Sequence, residues 1–178
     1  ILEKVKEAGI VGLGGAGFPT HVKLNPPKDC KIDTVIVNGA ECEPYLTTDY
    51  RLLMEQPEKV VKGLEIILKL FPDATGYIAI DDSSPDAIEK VVKTVGNNPR
   101  IKVLALMTKY PQGSEKQLIN AVTGREVPSG ALPANAGCIV DNVDTVVAIE
   151  TAVCEDRPLM RRIVTLTGDA ANNPGNYE

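Results

Sequence analysis

Asp33-Thr34-Val35-Ile36-Val37-Asn38-Gly39 is a short apolar run closed by a turn-forming pair, and its reading decides the fold class. Val35, Ile36 and Val37 follow one another without the polar alternation of a half-exposed strand, so the spacing predicts a strand over Asp33–Val37 covered on both faces. Asn38-Gly39 marks its end. The same grammar recurs at Tyr77–Ile80, which stops at Asp81-Asp82, at Ile101–Met107 and at Cys138–Val140. Helical patterns fill the intervals. One spans Thr48–Gln56 with Thr48 as candidate N-cap. The next opens at Pro57, where a missing N–H costs nothing, and carries Val60, Val61, Leu64, Ile67, Leu68 and Phe71 on one face. Ser84-Pro85 opens a third, with Ala87, Ile88, Val91, Val92 and Val95 as its apolar face. A fourth runs from Ser114 through Leu118, Ile119 and Val122 to Gly124. The last extends from Val143 to about Val153. Strands alternating with helices predict a three-layer, Rossmann-like α/β domain with a mostly parallel sheet.

The flanks differ from this body. Ile1–Ala8 has a short amphipathic pattern that stops at Gly9, and residues 9–32 read as a structured loop rich in Gly and Pro. Arg162–Thr167 reads as a strand followed by a stretch rich in Gly, Pro and Asn. The expected division is one domain over residues 1–159 and the beginning of a truncated, β-rich second domain over 160–178. The chain starts at Ile1 and is read as a fragment. Its 178 residues, 43% hydrophobic, suffice for one compact core. The net charge of −5 argues against a nucleic-acid binder. Cys30, Cys42, Cys138 and Cys154 form no C-x-x-C pair, so no metal or iron–sulfur site is expected from this chain alone. An acidic chain with few cysteines suits a reducing cytoplasm.

Four turns carry the candidate chemistry. Gly12-Leu13-Gly14-Gly15-Ala16-Gly17-Phe18-Pro19-Thr20 contains a formal G-x-G-x-x-G. It follows a helix-like segment and runs into proline, unlike a dinucleotide fingerprint, which follows a strand and opens a helix. Its glycines still let backbone N–H groups approach a ligand, with Phe18 as an apolar plate and Lys23 as a nearby cation. Physics alone leaves a nucleotide cradle and an unliganded tight turn evenly matched. Asn38-Gly39-Ala40-Glu41-Cys42-Glu43-Pro44 lies past a strand end, where open α/β sheets bind ligands. Glu41 and Glu43 could form an acid/base pair, although their spacing favours a solvated acidic loop. Tyr110-Pro111-Gln112-Gly113-Ser114-Glu115 and Asp141-Asn142-Val143-Asp144-Thr145 are also strand-to-helix turns. Asn142 is a candidate N-cap whose helix start could hold a phosphate, with Asp144 opposing it. His21 reads as a loop histidine.

These four motifs, in this order, resemble the flavin-bearing subunit of respiratory complex I and, more closely, the C subunit of the Rnf electron-transport complex. Gly12–Thr20 is similar to G-R-G-G-A-G-F-P-T, Asn38–Pro44 to N-A-D-E-x-E-P, Tyr110–Glu115 to Y-I-C-G-E-E and Asp141–Thr145 to N-N-V-E-T. Residues 124–130 look typical of the Rnf branch, and the tail looks like the start of a β-grasp domain. The resemblance implies a non-covalent FMN reduced by NADH, with 4Fe-4S clusters outside this chain. It implies FMN contacts from Gly12, Gly14, Gly15, Ala16, Lys23, Asn38, Glu41, Gly113, Asn142 and Thr145, and NADH contacts from Phe18, Glu43, Tyr110 and Glu115. No residue need act as acid or base in hydride transfer. Leu13, Ala40 and Ser114 depart from the motif's Arg, Asp and Glu. Implied partners are the other subunits of a membrane complex and, more distantly, ferredoxin, at the cytoplasmic side of the membrane. Two other readings are compatible with the same domain. One is a soluble cobalamin reductase or amino-acid-reductase electron-transfer protein; the other is a redox-inactive nucleotide-binding docking module.

Overall fold

The structure is a computed structural model describing residues 1–41 and 43–178; Cys42 lies outside the described residues. Four parallel strands form the central sheet: β1 (Thr34–Gly39), β2 (Thr75–Asp81), β3 (Ile101–Leu106) and β4 (Cys138–Asn142), in the order β3-β2-β1-β4. The helices are α1 (Leu2–Glu7), α2 (Thr20–Lys23), α3 (Thr48–Glu55), α4 (Pro57–Leu68), α5 (Pro85–Val95), α6 (Glu115–Thr123) and α7 (Val143–Glu155).

Alternate residues of each strand enter different cores, which is why the strands read as unbroken apolar runs. Val35, Val37, Ile78, Ile80 and Ile139 join the core under α4, α5 and α7. Ile36, Ala79, Cys138 and Val140 join Leu118 and Ile119 of α6 on the opposite face. The three-layer expectation holds. α4 and α7 approach so closely that a Cβ on Gly63 would lie 2.3 Å from the Val146 carbonyl oxygen.

Local differences have physical reasons. Asn38-Gly39 belongs to β1, since both residues pair with β2 in register. The 9–32 loop contains α2, a single turn entered from Pro19. Thr48 is not the N-cap of α3. Thr47 stands there, and the Glu41 carboxylate caps the helix by accepting from the Asp49 and Tyr50 amides at 3.1 and 3.2 Å. Phe71 lies beyond α4 but still packs on the core, whereas Val92 of α5 is half exposed. The expected strand over Arg162–Thr167 shortens to β5 (Val164–Leu166), paired antiparallel with β6 (Gly175–Tyr177).

Candidate flavin site

Strand order reverses between β1 and β4, because the chain leaves β1 toward β2 and β3 before returning to the other side of β1. Ligands of open α/β sheets bind at the carboxyl ends beside such a reversal. All four sequence motifs have a residue there.

The glycine loop is a closed lobe. Val11 and Pro19 form an antiparallel bridge, and the Gly12 amide donates to the Phe18 carbonyl at 2.8 Å. Gly15 and Gly17 have positive φ, which a side chain would strain. The lobe sits on the N-terminus of α7. The buried Leu13 amide donates to the Thr145 hydroxyl at 2.9 Å, and a Cβ on Gly14 would meet the Asn142 Cβ at 3.2 Å. The amides of Gly14, Gly15, Ala16 and Gly17 donate to no acceptor among the described residues. No atom of the described residues lies within 4 Å of a Cβ built on Gly15 or Gly17, so the outer face is open. Phe18 stands beside this face, half exposed.

Asn142 is the N-cap of α7, as its sequence position suggested. Its side-chain oxygen accepts from the Asp144 amide at 2.9 Å, and its Nδ2 donates to Asp49 at 2.7 Å. Asn38 ties β1 to the third motif, donating to the Gly113 carbonyl at 2.8 Å. Lys23 ties the first motif to the third and fourth. Its ammonium donates to Glu115 at 2.8 Å and to the Val140 carbonyl at 2.7 Å, with Asp141 at 3.5 Å.

Glu41, Glu43 and Tyr110 lie apart from the lobe. They line a cleft of ≈ 310 Å³ over the carboxyl ends of β1–β3, together with Asp81, Thr108 and Gln112. Glu41 is engaged by the α3 N-terminus and by Thr48 at 3.1 Å. Glu43 and Tyr110 are exposed. The site is therefore a glycine lobe and an aromatic-edged cleft, joined by the Lys23–Glu115 and Asn38–Gly113 contacts.

Electrostatics expose residues that the motif reading passed over. Burial pushes the Asp141 carboxyl up to about 6, with Lys23 opposing and Glu115 reinforcing the rise. Burial, then the neighbouring Glu41 charge, pushes Asp49 up to about 8. Burial alone would lower the Lys23 ammonium, but Asp141 and Glu115 outweigh it and raise it. The Gln112 side-chain oxygen is buried without a partner among the described residues. Arg162, from the segment after α7, donates to the Leu13 carbonyl at 2.7 Å. Asp141 and Gln112 lie inside the fourth and third motifs; nothing in the sequence singles out Arg162.

The Nuo51 FMN-binding domain family matches residues 5–151. The chain is 56% identical over all 178 residues to the C subunit of the Na(+)-translocating ferredoxin:NAD(+) oxidoreductase complex of Acetobacterium woodii, covering 40% of that protein. It is 52% identical over 172 residues to the C subunit of the proton-translocating ferredoxin:NAD(+) oxidoreductase complex of Clostridium ljungdahlii, covering 97% of this chain and 37% of that one. The chain thus spans less than half the length of these curated relatives. A solved NAD+-reducing NiFe hydrogenase in its H2-reduced state superposes with a TM-score of 0.69 at 26% identity, over 85% of this chain and 30% of that one. With residues 5–151 of its 178 matched, the chain belongs to the Nuo51 FMN-binding domain family.

Proposed function

We propose that this chain binds FMN at the glycine lobe and receives NADH over the adjoining cleft, as the electron-input domain of an Rnf-type ion-translocating ferredoxin:NAD+ oxidoreductase complex. One observation carries the reading: an open glycine lobe with free amides is pinned onto the N-terminus of α7 through Leu13 and Thr145. Free amides and the positive end of a helix dipole suit the phosphate and polar edge of a flavin nucleotide. The 56% identity to a relative from such a complex over the whole chain supports the choice of complex.

In this reading Gly12, Gly14, Gly15, Ala16 and Lys23 hold the flavin, with Asn38, Glu41, Gly113, Asn142 and Thr145 fixing the walls. Phe18 and Tyr110 offer aromatic faces to the nicotinamide nucleotide, and Glu43 and Glu115 offer carboxylates to its hydroxyls or amide. FMN, when bound, supplies a two-electron acceptor for hydride from nicotinamide C4 and can release those electrons singly. The chain's own residues stack, orient and exclude water; hydride transfer needs geometry, and no side chain has to move a proton. Onward transfer falls to 4Fe-4S clusters in sequence outside this chain. The reading makes residues 1–159 the flavin domain and residues 160–178 the opening of a β-grasp domain. The domain would sit peripherally on the cytoplasmic side of the membrane, with the other members of the complex as partners and ferredoxin as a distant redox partner. No helix among the described residues is long and apolar enough to cross a membrane.

The test is titration of the flavin-depleted full-length protein with FMN, followed by rapid mixing with NADH. Saturable quenching of flavin fluorescence and bleaching of the flavin band by NADH are expected. A correctly folded protein showing no saturable binding would end the FMN assignment. Saturable binding without bleaching would instead favour a redox-inactive docking module.

A further inference from the structure

One ammonium serves two carboxylates at the junction of lobe and cleft. Asp141, next to the last residue of β4, has a side chain that is 1% exposed, and among the described residues neither of its oxygens has a close hydrogen-bond partner. Its nearest cation among the described residues is the Lys23 ammonium at 3.5 Å. The same ammonium donates to Glu115 at 2.8 Å, and the Glu115 side chain is 44% exposed. The Val140 carbonyl takes a third direction of the ammonium at 2.7 Å.

These two acids hold Lys23 on unequal terms. A buried carboxylate held by one long ion pair cannot lose that cation without a large desolvation cost. A half-exposed carboxylate can turn to water, and its ion pair contributes little. A ligand acceptor competing for Lys23 therefore displaces Glu115 and leaves Asp141 in place. Resting on the FMN reading above, we propose that Asp141 is a positioning residue that holds Lys23 for the flavin, and that Glu115 is the partner the flavin displaces.

The two isosteric neutralisations should then act in opposite directions. In Asp141→Asn the ammonium loses its fixed counter-charge, stays on Glu115, and is given up to the flavin less readily. FMN dissociation constants should rise about fivefold. In Glu115→Gln the competitor is weakened, and the constant should fall about threefold. A merely structural role would weaken binding in both. Calorimetric titration of the full-length protein with FMN, alongside thermal unfolding of each variant, makes the test. Glu115 is half exposed, so its variant keeps the comparison usable if Asp141→Asn were to misfold. Tighter binding in Glu115→Gln with weaker binding in Asp141→Asn supports the proposal. Variants that move together, a Glu115→Gln protein that binds no tighter than wild type, or an unchanged Asp141→Asn protein overturns it. Absence of FMN binding by the wild type overturns the FMN reading itself, a result distinct from these.

Discussion

The Leu13 amide and the Thr145 hydroxyl meet at 2.9 Å across 132 residues of sequence, and this buried bond fastens the glycine lobe to the first turn of α7. Thr145 is fully buried, so no water can replace its oxygen. Thr145→Val preserves shape and removes the acceptor. A buried amide left unpaired costs about 1–3 kcal/mol. Urea unfolding should show a loss of that size, with weaker FMN binding in the same variant. Thr145→Ser keeps the oxygen and should retain most of both. Equal behaviour of Val and wild type in both measurements would show that the bond does not hold the lobe.

Gly63 tests the platform beneath that turn. Any Cβ there would come within 2.3 Å of the Val146 carbonyl oxygen and 2.6 Å of its Cγ1, so α4 and α7 must separate to admit it. Ala is the better helix former, so propensity alone predicts a gain of about 1 kcal/mol. Overpacking wins, because both helices are buried along this contact. Gly63→Ala should destabilise by about 3 kcal/mol in urea unfolding. A gain in stability would mean that the helices are not in close contact there.

Asp141 gives the fold a pH dependence. Its carboxyl is pushed from 3.8 up to about 6, chiefly by burial. The folded state therefore holds the proton more tightly than the unfolded chain. That contribution is fully present below pH 3.8 and is lost as pH rises through about 6. Asp141→Asn cannot ionise and escapes the loss. Relative to wild type, the variant should gain on the order of 2 kcal/mol at about pH 8 and almost nothing at about pH 4. Urea unfolding at the two values checks this. A gain of equal size at both would assign the effect to packing.

Several features of this fold were legible because they are local. Three consecutive branched residues at Val35–Val37 can be accommodated only with both sheet faces covered, and Pro57, Pro85 and Gly124 each sit at the helix end that their backbone chemistry favours. The long-range partners were not legible. Glu41 replaces Thr48 as the cap of α3 because β1 delivers its carboxylate to that helix start, which no local propensity encodes. In sequence Asp141 is one more turn carboxylate of the fourth motif; its burial against Lys23 depends on where α2 lands. The division of the site into lobe and cleft depends on strand order, which sequence periodicity does not specify.

Arg162 extends the site beyond the sheet. Its guanidinium donates to the Leu13 carbonyl at 2.7 Å, on the same residue whose amide is held by Thr145. Its charge also draws down the carboxyls of Asp49 and Asp144, although burial still raises both. Nearby, Asn176 of β6 donates to the Thr47 hydroxyl at 2.9 Å, so the hairpin touches the entry to α3 as well. The segment after α7 thus gives the glycine lobe an anchor besides Thr145. Arg162→Met keeps the apolar stem and deletes the anchor and the charge. Because the residue is exposed, global stability should change by less than about 0.5 kcal/mol. The lobe loses one of its anchors, and Asp49 and Asp144 lose a cation that opposes the rise of their carboxyls. FMN affinity should fall about threefold to tenfold, since a hydrogen bond to a charged donor contributes more than a neutral one. Arg162→Lys restores the charge and one donor and should recover part of the affinity. Fluorescence titration with FMN, paired with urea unfolding of each variant, reads the two effects separately. Unchanged affinity in Arg162→Met would show that the lobe keeps its shape without the following segment.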